Sequence, residues 1–313
     1  MDEAGLTERT GYAAVPATCG ELVQGSLDGI PCLVSCPIDV YSVATVRLDQ
    51  DTHWHVPMER SKSVAALQAG LRHLGWSGGG SLHLVSPLPV GRGYGTSTAD
   101  LGATLYALGN ACGHMFTPSE AARLAVSIEP SDSTLFPGLT LFAHRSGEFY
   151  ETLADAPPLW VVVLDPGGEV DTLAFNRCDH RAALRRLAGE HRQMFDMLRQ
   201  SLRDKDWGLL GEAASLSSRL HQAILLNPWL DDALKLAKSV RALGVCRAHS
   251  GTLLGLLLDA ARVDVTAVTA HIVRQFPSLA VHAHRLVGGG AVNPRALNLA
   301  AAGKSSVDCT PDM

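Results

Sequence analysis

Three glycines at alternating positions, Gly91, Gly93 and Gly95, constrain this chain more than any other feature. They stand in the stretch Ser86 to Asp100. Before it, Ser81 to Val85 reads as a short strand; after it, the Ala- and Leu-rich run Leu101 to Ala111 reads as a helix. A glycine loop that opens a helix leaves backbone amides unpaired at the positive end of the helix dipole, and no Cβ keeps a ligand away from them. Such amides favour phosphate. Thr96, Ser97 and Thr98 add three hydroxyls suited to phosphate or Mg2+. The same residues also suit a tight turn whose Ser and Thr side chains merely cap the helix.

Other loop readings fail on particular residues. A dinucleotide fingerprint needs Gly where Thr96 stands, and an acidic residue about twenty positions further on, where none lies. Gly303-Lys304-Ser305 has the end of a P-loop, but Asn298 occupies the place of its first glycine and too few residues follow to build the helix. Gly95-Thr96-Ser97-Thr98-Ala99 is close to a hydrolase elbow, yet Pro87 and Pro89 spoil the sharp strand-to-helix turn that would expose Ser97 as a nucleophile.

Charge and composition narrow the partners. Lys and Arg number 26 against 31 Asp and Glu, a net charge of −5, whereas a general nucleic-acid binder is basic. The apolar runs Leu159 to Leu164 and Leu253 to Leu258 are far short of a membrane span. Met1-Asp2-Glu3 is acidic with no apolar segment behind it, so no secretory signal is expected. Seven cysteines, an odd number without a Cys-x-x-Cys, read as reduced thiols of a cytoplasmic protein. No nucleic-acid or membrane partner is expected; a homodimer is the oligomeric state carried forward.

Strands and helices interleave in both halves, which points to an α+β protein with a cleft between two domains. Val40 to Leu48 reads as a strand and Lys62 to Leu74 as an amphipathic helix. Thr117-Pro118 with Glu120 forms a helix start, and Pro130 ends that helix near Ile128. Leu139 to Ala143 and Glu148 to Glu151 form a hairpin. A boundary near Ala154 to Pro158 divides residues 1–157 from 158–292, and residues 293–313 read as a flexible tail. In the second half the expected elements are a strand over Leu159 to Leu164, then helices over Asp179 to Leu202, Trp207 to Leu226 and Leu230 to Leu243. Strands over Val245 to His249 and Thr252 to Leu258, a helix over Val263 to Phe276 and a strand over Ala280 to Val287 complete it. His53-x-His55 and Cys112-x-His114 have metal-ligating types but no paired partner at zinc spacing, which disfavours a structural zinc.

With these residues in place, the chain resembles the GHMP small-molecule kinases, whose phosphate loop is a Pro-x-x-x-Gly-Leu-Gly-Ser-Ser-Ala-like run. Pro89 to Ala99 is similar to it, with Tyr94 in place of Leu and Thr96-Ser97-Thr98-Ala99 for the Ser-Ser-Ala run. Val15 to Gly25, containing Cys19-Gly20-Glu21-Leu22-Val23-Gln24-Gly25, resembles the first motif of one branch, the L-threonine kinases of cobalamin side-chain biosynthesis. So do Ser35-Cys36-Pro37-Ile38-Asp39, Ser127 to Thr134 and Ala248-His249-Ser250-Gly251-Thr252. The resemblance implies a ribosomal-S5-like N-terminal domain and a ferredoxin-like C-terminal domain. It also implies ATP with Mg2+ as cofactors and an amino-acid acceptor held between the domains.

Roles follow from that resemblance together with the demands of phosphoryl transfer, which needs positioning and charge neutralisation. Pro89, Val90, Gly91, Arg92, Gly93, Tyr94, Gly95, Thr96, Ser97 and Thr98 would hold the triphosphate, with Thr96 or Thr98 touching phosphate. Ser97 and Glu129 would ligate Mg2+, a hard cation that needs few protein oxygens. Asp132 would orient the acceptor hydroxyl or take its proton, or else simply cap the turn at Ser133 and Thr134. Glu21 or Asp39 would hold the substrate ammonium, in a pocket shared with Cys19 and Gln24, or both are strand-end charges. Arg247, His249 and Ser250 would meet the substrate carboxylate or the phosphate, although a lone histidine is more often structural. The acceptor is expected to be L-threonine, with homoserine or another hydroxy amino acid as the alternative. A nucleotide-binding regulator without catalysis is a further alternative.

Overall fold

The computed structural model describes residues 9–49, 53–170, 175 and 177–301. The chain begins with a long antiparallel hairpin, β1 (Arg9–Leu27) and β2 (Ile30–Leu48). Its turn is Asp28-Gly29, with φ of 50° and 85°, the left-handed pair that matches strand twist in a two-residue hairpin. The ladder loses register between Pro16 and Val23, where Pro16 has no N–H to give and Gly20 adopts φ 58°. Within that stretch Thr18 and Glu21 still pair with β2, while Glu21 also pairs with the second half of the chain.

The rest of the first half is β3 (Trp54–His55), α1 (Ser61–Leu74), β4 (Gly80–Val85), α2 (Thr96–Cys112), α3 (Pro118–Val126), β5 (Leu139–Phe142) and β6 (Tyr150–Ala154). The second half opens with β7 (Trp160–Asp165), then α4 (Arg181–Arg186), α5 (Ala188–Asp204), α6 (Trp207–Leu220) and α7 (Leu230–Ser239). It closes with β8 (Gly244–Arg247), β9 (Leu254–Leu258), α8 (Val265–Gln275), β10 (Ala280–Arg285) and α9 (Pro294–Ala301). Strand order is β10-β7-β9-β8-β1-β2-β4-β3, with β5 on β2 and β6 on β5. The strands of the two halves meet at Glu21 opposite Arg247, and isolated bridges Ala14–Val292, Ile38–Leu286 and Gly138–Gly289 also link the halves.

Side-chain periodicity explains the layers. In β7, Val161 and Val163 point to a core shared with Met194, Phe195 and Leu198 of α5 and Leu210 and Ala213 of α6. Val162 and Leu164 point the other way, to Leu230, Ala233 and Leu236 of α7 and Ile272 of α8. A strand covered on both faces reads as a continuous apolar run, as Trp160–Asp165 does. In the first half, Ala99, Ala103 and Ala107 let α2 lie close on Ala13, Val15, Ala44 and Val46 of the hairpin.

Several expectations need correction. α2 starts at Thr96, so Ser97 and Thr98 lie in its first turn instead of in a loop before it. The helix expected over 179–202 divides at Leu187 into α4 and α5. β2 begins at Ile30, ten residues before the expected strand, because Pro31 and Pro37 hide its pattern yet fit where they fall. The tail expected from residue 293 opens with α9, and Val292 pairs with Ala14 in the first half. The Gly303-Lys304-Ser305 stretch lies outside the described residues. The capping box at Thr117 and Glu120 forms as expected.

Candidate active site

The glycine loop is stitched to both halves of the chain by its backbone. Thr18 N–H donates to the Tyr94 carbonyl (2.7 Å) and Gly20 N–H to the Gly93 carbonyl (3.1 Å), both from the β1 bulge. From the second half, Thr252 N–H donates to the Arg92 carbonyl (2.9 Å) and Val170 N–H to the Gly91 carbonyl (3.1 Å). Two positions demand glycine outright. Gly93 has φ 107°, and a Cβ there would lie 2.1 Å from the Ala248 Cβ. Gly95 has φ 60°, and a Cβ would meet Thr18 Oγ1 at 2.7 Å and Asp132 Oδ2 at 2.8 Å. The side chains of Arg92 and Tyr94 point away from the loop's open face. Both bond Asp165 Oδ2 at the end of β7, at 3.1 and 3.2 Å, which anchors the loop against the sheet.

A cleft of about 740 Å3, counting its open mouth, lies in front of the loop. Gly91, Gly93, Gly95, Ser97 and Thr98 border it together with Glu21, Lys62, Glu129, Asp132, His144, His249 and Ser250. No side chain caps α2, so the amides of its first turn are left for a ligand. Ser97 Oγ donates a short hydrogen bond to Glu129 Oε1, and Lys62 Nζ approaches Glu129 Oε2 at 2.5 Å. α1 supplies Lys62 and the loop after α3 supplies Glu129, so three elements converge on one carboxylate.

The acidic groups are unusually crowded. Burial, opposed by a hydrogen bond from Thr98 and reinforced by the charge of Glu129, pushes the Asp132 carboxyl up to about 6. Burial first, and the neighbouring Asp132 next, push Glu21 well above the usual carboxylate range. Glu21 Oε2 is buried without a hydrogen-bond partner. An orphaned carboxylate oxygen beside two other carboxylates, at the foot of a helix N-terminus, is a place where cations are wanted. Opposite them, His144 and His249 pack edge to face with centroids 5.0 Å apart. Desolvation holds His249 down to about 3 and His144 well below its usual value, so both imidazoles are neutral at pH 7.

Comparison with known proteins places this geometry. The profile of the GHMP kinases N terminal domain matches residues 61–136, and that of the GHMP kinases C terminal region matches residues 198–271. The L-threonine kinase of Salmonella typhimurium is 31% identical over 288 residues, 90% of this chain and 95% of that protein. The chain belongs to the GHMP kinases. A homoserine kinase of Shouchella clausii is 29% identical over 66% of this chain and 71% of its own length. The crystal structure of homoserine kinase from Cytophaga hutchinsonii superposes with a TM-score of 0.68 at 17% identity, over 93% of this chain and 99% of that one. The fold is therefore the two-domain GHMP kinase fold, as the sequence motifs imply, and the chain is a kinase. Among the described residues no helix is long and apolar enough to cross a membrane.

Within this GHMP kinase the expected site residues divide. Val90, Gly91, Gly93, Tyr94, Gly95, Thr96, Ser97 and Thr98 border the cleft, as do Glu21, Glu129, Asp132, His249 and Ser250. The hydroxyls of Thr96 and Thr98 are engaged within the protein, Thr96 with the Pro89 carbonyl (3.0 Å) and Thr98 with the Asp132 N–H (3.0 Å). Ser97 is thus the hydroxyl most directly turned to the cleft. Four expected substrate contacts do not border it. Cys19 is fully buried in a cluster with Cys36 and Cys246, where the hydrogen bond with Cys246, and then burial, raise its pKa. Gln24 is buried beside Ser217. Asp39 sits midway along β2, accepting from Arg285 N–H (3.1 Å) and facing His284 Nδ1 (3.2 Å) of β10. Arg247 is 1% exposed, bonds Gln222 (2.8 Å) and stands behind Glu21, its pKa lowered by desolvation to about 10.

Lys62 and His144 border the cleft although sequence reasoning assigned neither a role. Lys62 carried a signal: it is a cation at the start of an amphipathic helix within the stretch that precedes the glycine loop. His144 carried none, since it reaches the cleft only because Ser131 N–H bonds its carbonyl (3.0 Å).

Proposed function

We propose that this kinase transfers the γ-phosphoryl group of ATP to the side-chain hydroxyl of L-threonine, giving O-phospho-L-threonine. The observation that carries the reading is the buried Glu21–Asp132 carboxylate pair beside the uncapped start of α2. It sets an ammonium-seeking group next to a hydroxyl-seeking one, within reach of a phosphate-binding helix end. The similarity to an L-threonine kinase over nine-tenths of the chain supports the choice of acceptor. If the product feeds cobalamin side-chain assembly, as that branch of the family implies, it is the phosphorylated precursor of an aminopropanol linker.

In this reading the loop from Val90 to Thr98 and the first-turn amides of α2 hold the triphosphate, and Lys62 neutralises part of its charge. Ser97 Oγ and Glu129 are hard oxygens already in contact, a donor set that suits Mg2+. When bound there, Mg2+ supplies charge neutralisation of the phosphates. Glu21 receives the substrate ammonium on its unpartnered Oε2. Asp132, poised near neutrality, orients the substrate hydroxyl and accepts its proton. The neutral His249 and His144 offer hydrogen bonds to the substrate carboxylate without adding charge, and Arg247 supports Glu21 from behind. His249 and Ser250 bring the second half of the chain to this site.

A coupled assay of ADP release with threonine, serine, homoserine and mevalonate tests the acceptor. Turnover highest with L-threonine is the expected result. Preference for homoserine would move the assignment to the neighbouring activity, and no amino-acid-dependent turnover would remove it.

A further inference from the structure

We propose that His73, His114 and Glu120 form a binding site for a divalent transition metal of the Zn2+ class, on the face of the first domain remote from the glycine loop. Each residue offers one ligand atom, and the three atoms lie within 4.8 Å of one another. His73 Nε2 stands 3.7 Å from Glu120 Oε1. Tetrahedral zinc with bonds of about 2.0–2.1 Å sets its ligand atoms roughly 3.4 Å apart, so that pair needs about 0.3 Å of closure and no pair needs more than about 1.4 Å.

The three side chains come from different elements. His73 is in the last turn of α1, His114 follows α2, and Glu120 is the third residue of α3. Their positions are fixed for independent reasons. Glu120 Oε2 accepts from Thr117 N–H (2.8 Å) and Thr117 Oγ1 (2.7 Å), which orients the carboxylate and leaves Oε1 for His73. The His114 ring packs edge to face on Phe116, centroids 4.9 Å apart, and Phe116 also lies 5.7 Å from the His73 ring. A separate observation points to a ligand: His114 Nε2 is shielded from solvent and has no hydrogen-bond partner. Two imidazoles and one carboxylate are a donor set for zinc, in which a water completes the tetrahedron, and the half-exposed His73 leaves room for it. Hard Mg2+ would avoid the imidazoles. The sequence hid this set, because Cys112-x-His114 draws attention to Cys112, whereas the partners of His114 come from residues 73 and 120.

A metal here would clip the end of α1 to the start of α3. At their other ends these elements carry Lys62 and lead to Glu129, so the clip braces the two helices that deliver that ion pair to the cleft.

The test is Zn2+ binding to the untagged full chain, stripped with chelator and titrated in excess Mg2+ against a chromophoric competitor, with thermal melting in parallel. Expected are one Zn2+ per chain at micromolar or tighter affinity and a higher melting temperature with Zn2+. Affinity should fall in H73A and in H114A by at least the roughly 10–100-fold that loss of even an outer partner costs. E120Q, which keeps the capping box, should weaken binding in the same direction. His73 is exposed, so H73A reports even if H114A fails to fold. Absence of Zn2+ binding by the wild type, or full retention of it in H73A, overturns the proposal.

Discussion

Replacing Asp132 by Asn tests the central chemistry, because one physical cause predicts opposite effects on catalysis and stability. Burial raises the carboxyl from 3.8 in the unfolded chain to about 6 in the fold. The sign follows from linkage: a carboxyl whose folded pKa is raised favours folding while protonated and loses that contribution as pH climbs through the folded value. Two units correspond to about 3 kcal/mol as an upper figure, since Asp132 retains some contact with solvent. D132N carries no charge to desolvate. It should therefore match the wild type near pH 3.8 and below, gain stability between pH 4 and 6, and be more stable by about 1–3 kcal/mol from pH 7 upward. Over the same upper range kcat should drop by about 10²–10⁴-fold if Asp132 handles the substrate proton. The wild-type rate should itself decline as pH falls through about 6, the value at which Asp132 takes up a proton. Urea melts from pH 4 to 8 in chelator, with kcat measured on the same preparations, supply both readings. A variant that keeps wild-type turnover refutes the assignment of Asp132 to the hydroxyl. One whose stability relative to wild type improves as pH falls refutes the burial argument.

Other residues carry further expectations. G93A should raise KM for ATP and lower the melting temperature, because φ 107° strains an alanine and its Cβ would overlap the Ala248 Cβ; unchanged values in both would show that the loop is not held as described. K62M should leave the fold intact and raise KM for ATP roughly tenfold, a loss of about 1.4 kcal/mol of charge–phosphate attraction; an unchanged KM would confine Lys62 to its contact with Glu129. E21Q should raise KM for the amino acid far more than for ATP, a split visible in initial-rate kinetics, and an equal effect on both would argue against ammonium binding at Oε2. D39N should leave both constants unchanged, since Asp39 bonds Arg285 N–H and does not border the cleft.

What the sequence disclosed depends on the range of the interaction that fixes each feature. Local chemistry was legible. Thr117 and Glu120 cap α3 through bonds three residues apart, and the glycines between 91 and 95 announce a backbone that no other residue can follow. Motif resemblance went further, bringing Glu21, Glu129, Asp132, His249 and Ser250 to one cleft from segments more than two hundred residues apart. Orientation was not legible. Cys19 and Glu21 share a motif and a strand, and regular alternation would put residues two apart on one face; the bulge at Gly20 breaks that pattern and sends the thiol into the core and the carboxylate to the cleft. Arg247 looked like a carboxylate clamp by its chemistry. Its strand pairs with β1, and that register places the guanidinium behind Glu21.

The bulge in β1 ties these observations together. A strand has two edges: β1 gives one to β2 along most of its length and, at Glu21, the other to β8. Pro16 and Gly20 break the ladder, which frees Thr18 and Gly20 to bond the loop carbonyls and sets Glu21 opposite Arg247. The same stretch therefore joins the two halves of one sheet, seats the glycine loop and carries the carboxylate that we assign to the substrate ammonium. Residues 16–22 are thus where one irregular stretch of backbone meets β2, β8 and the glycine loop at once, which is why a cleft bordered by Glu21 is also bordered by His249 and Ser250 from the second half of the chain.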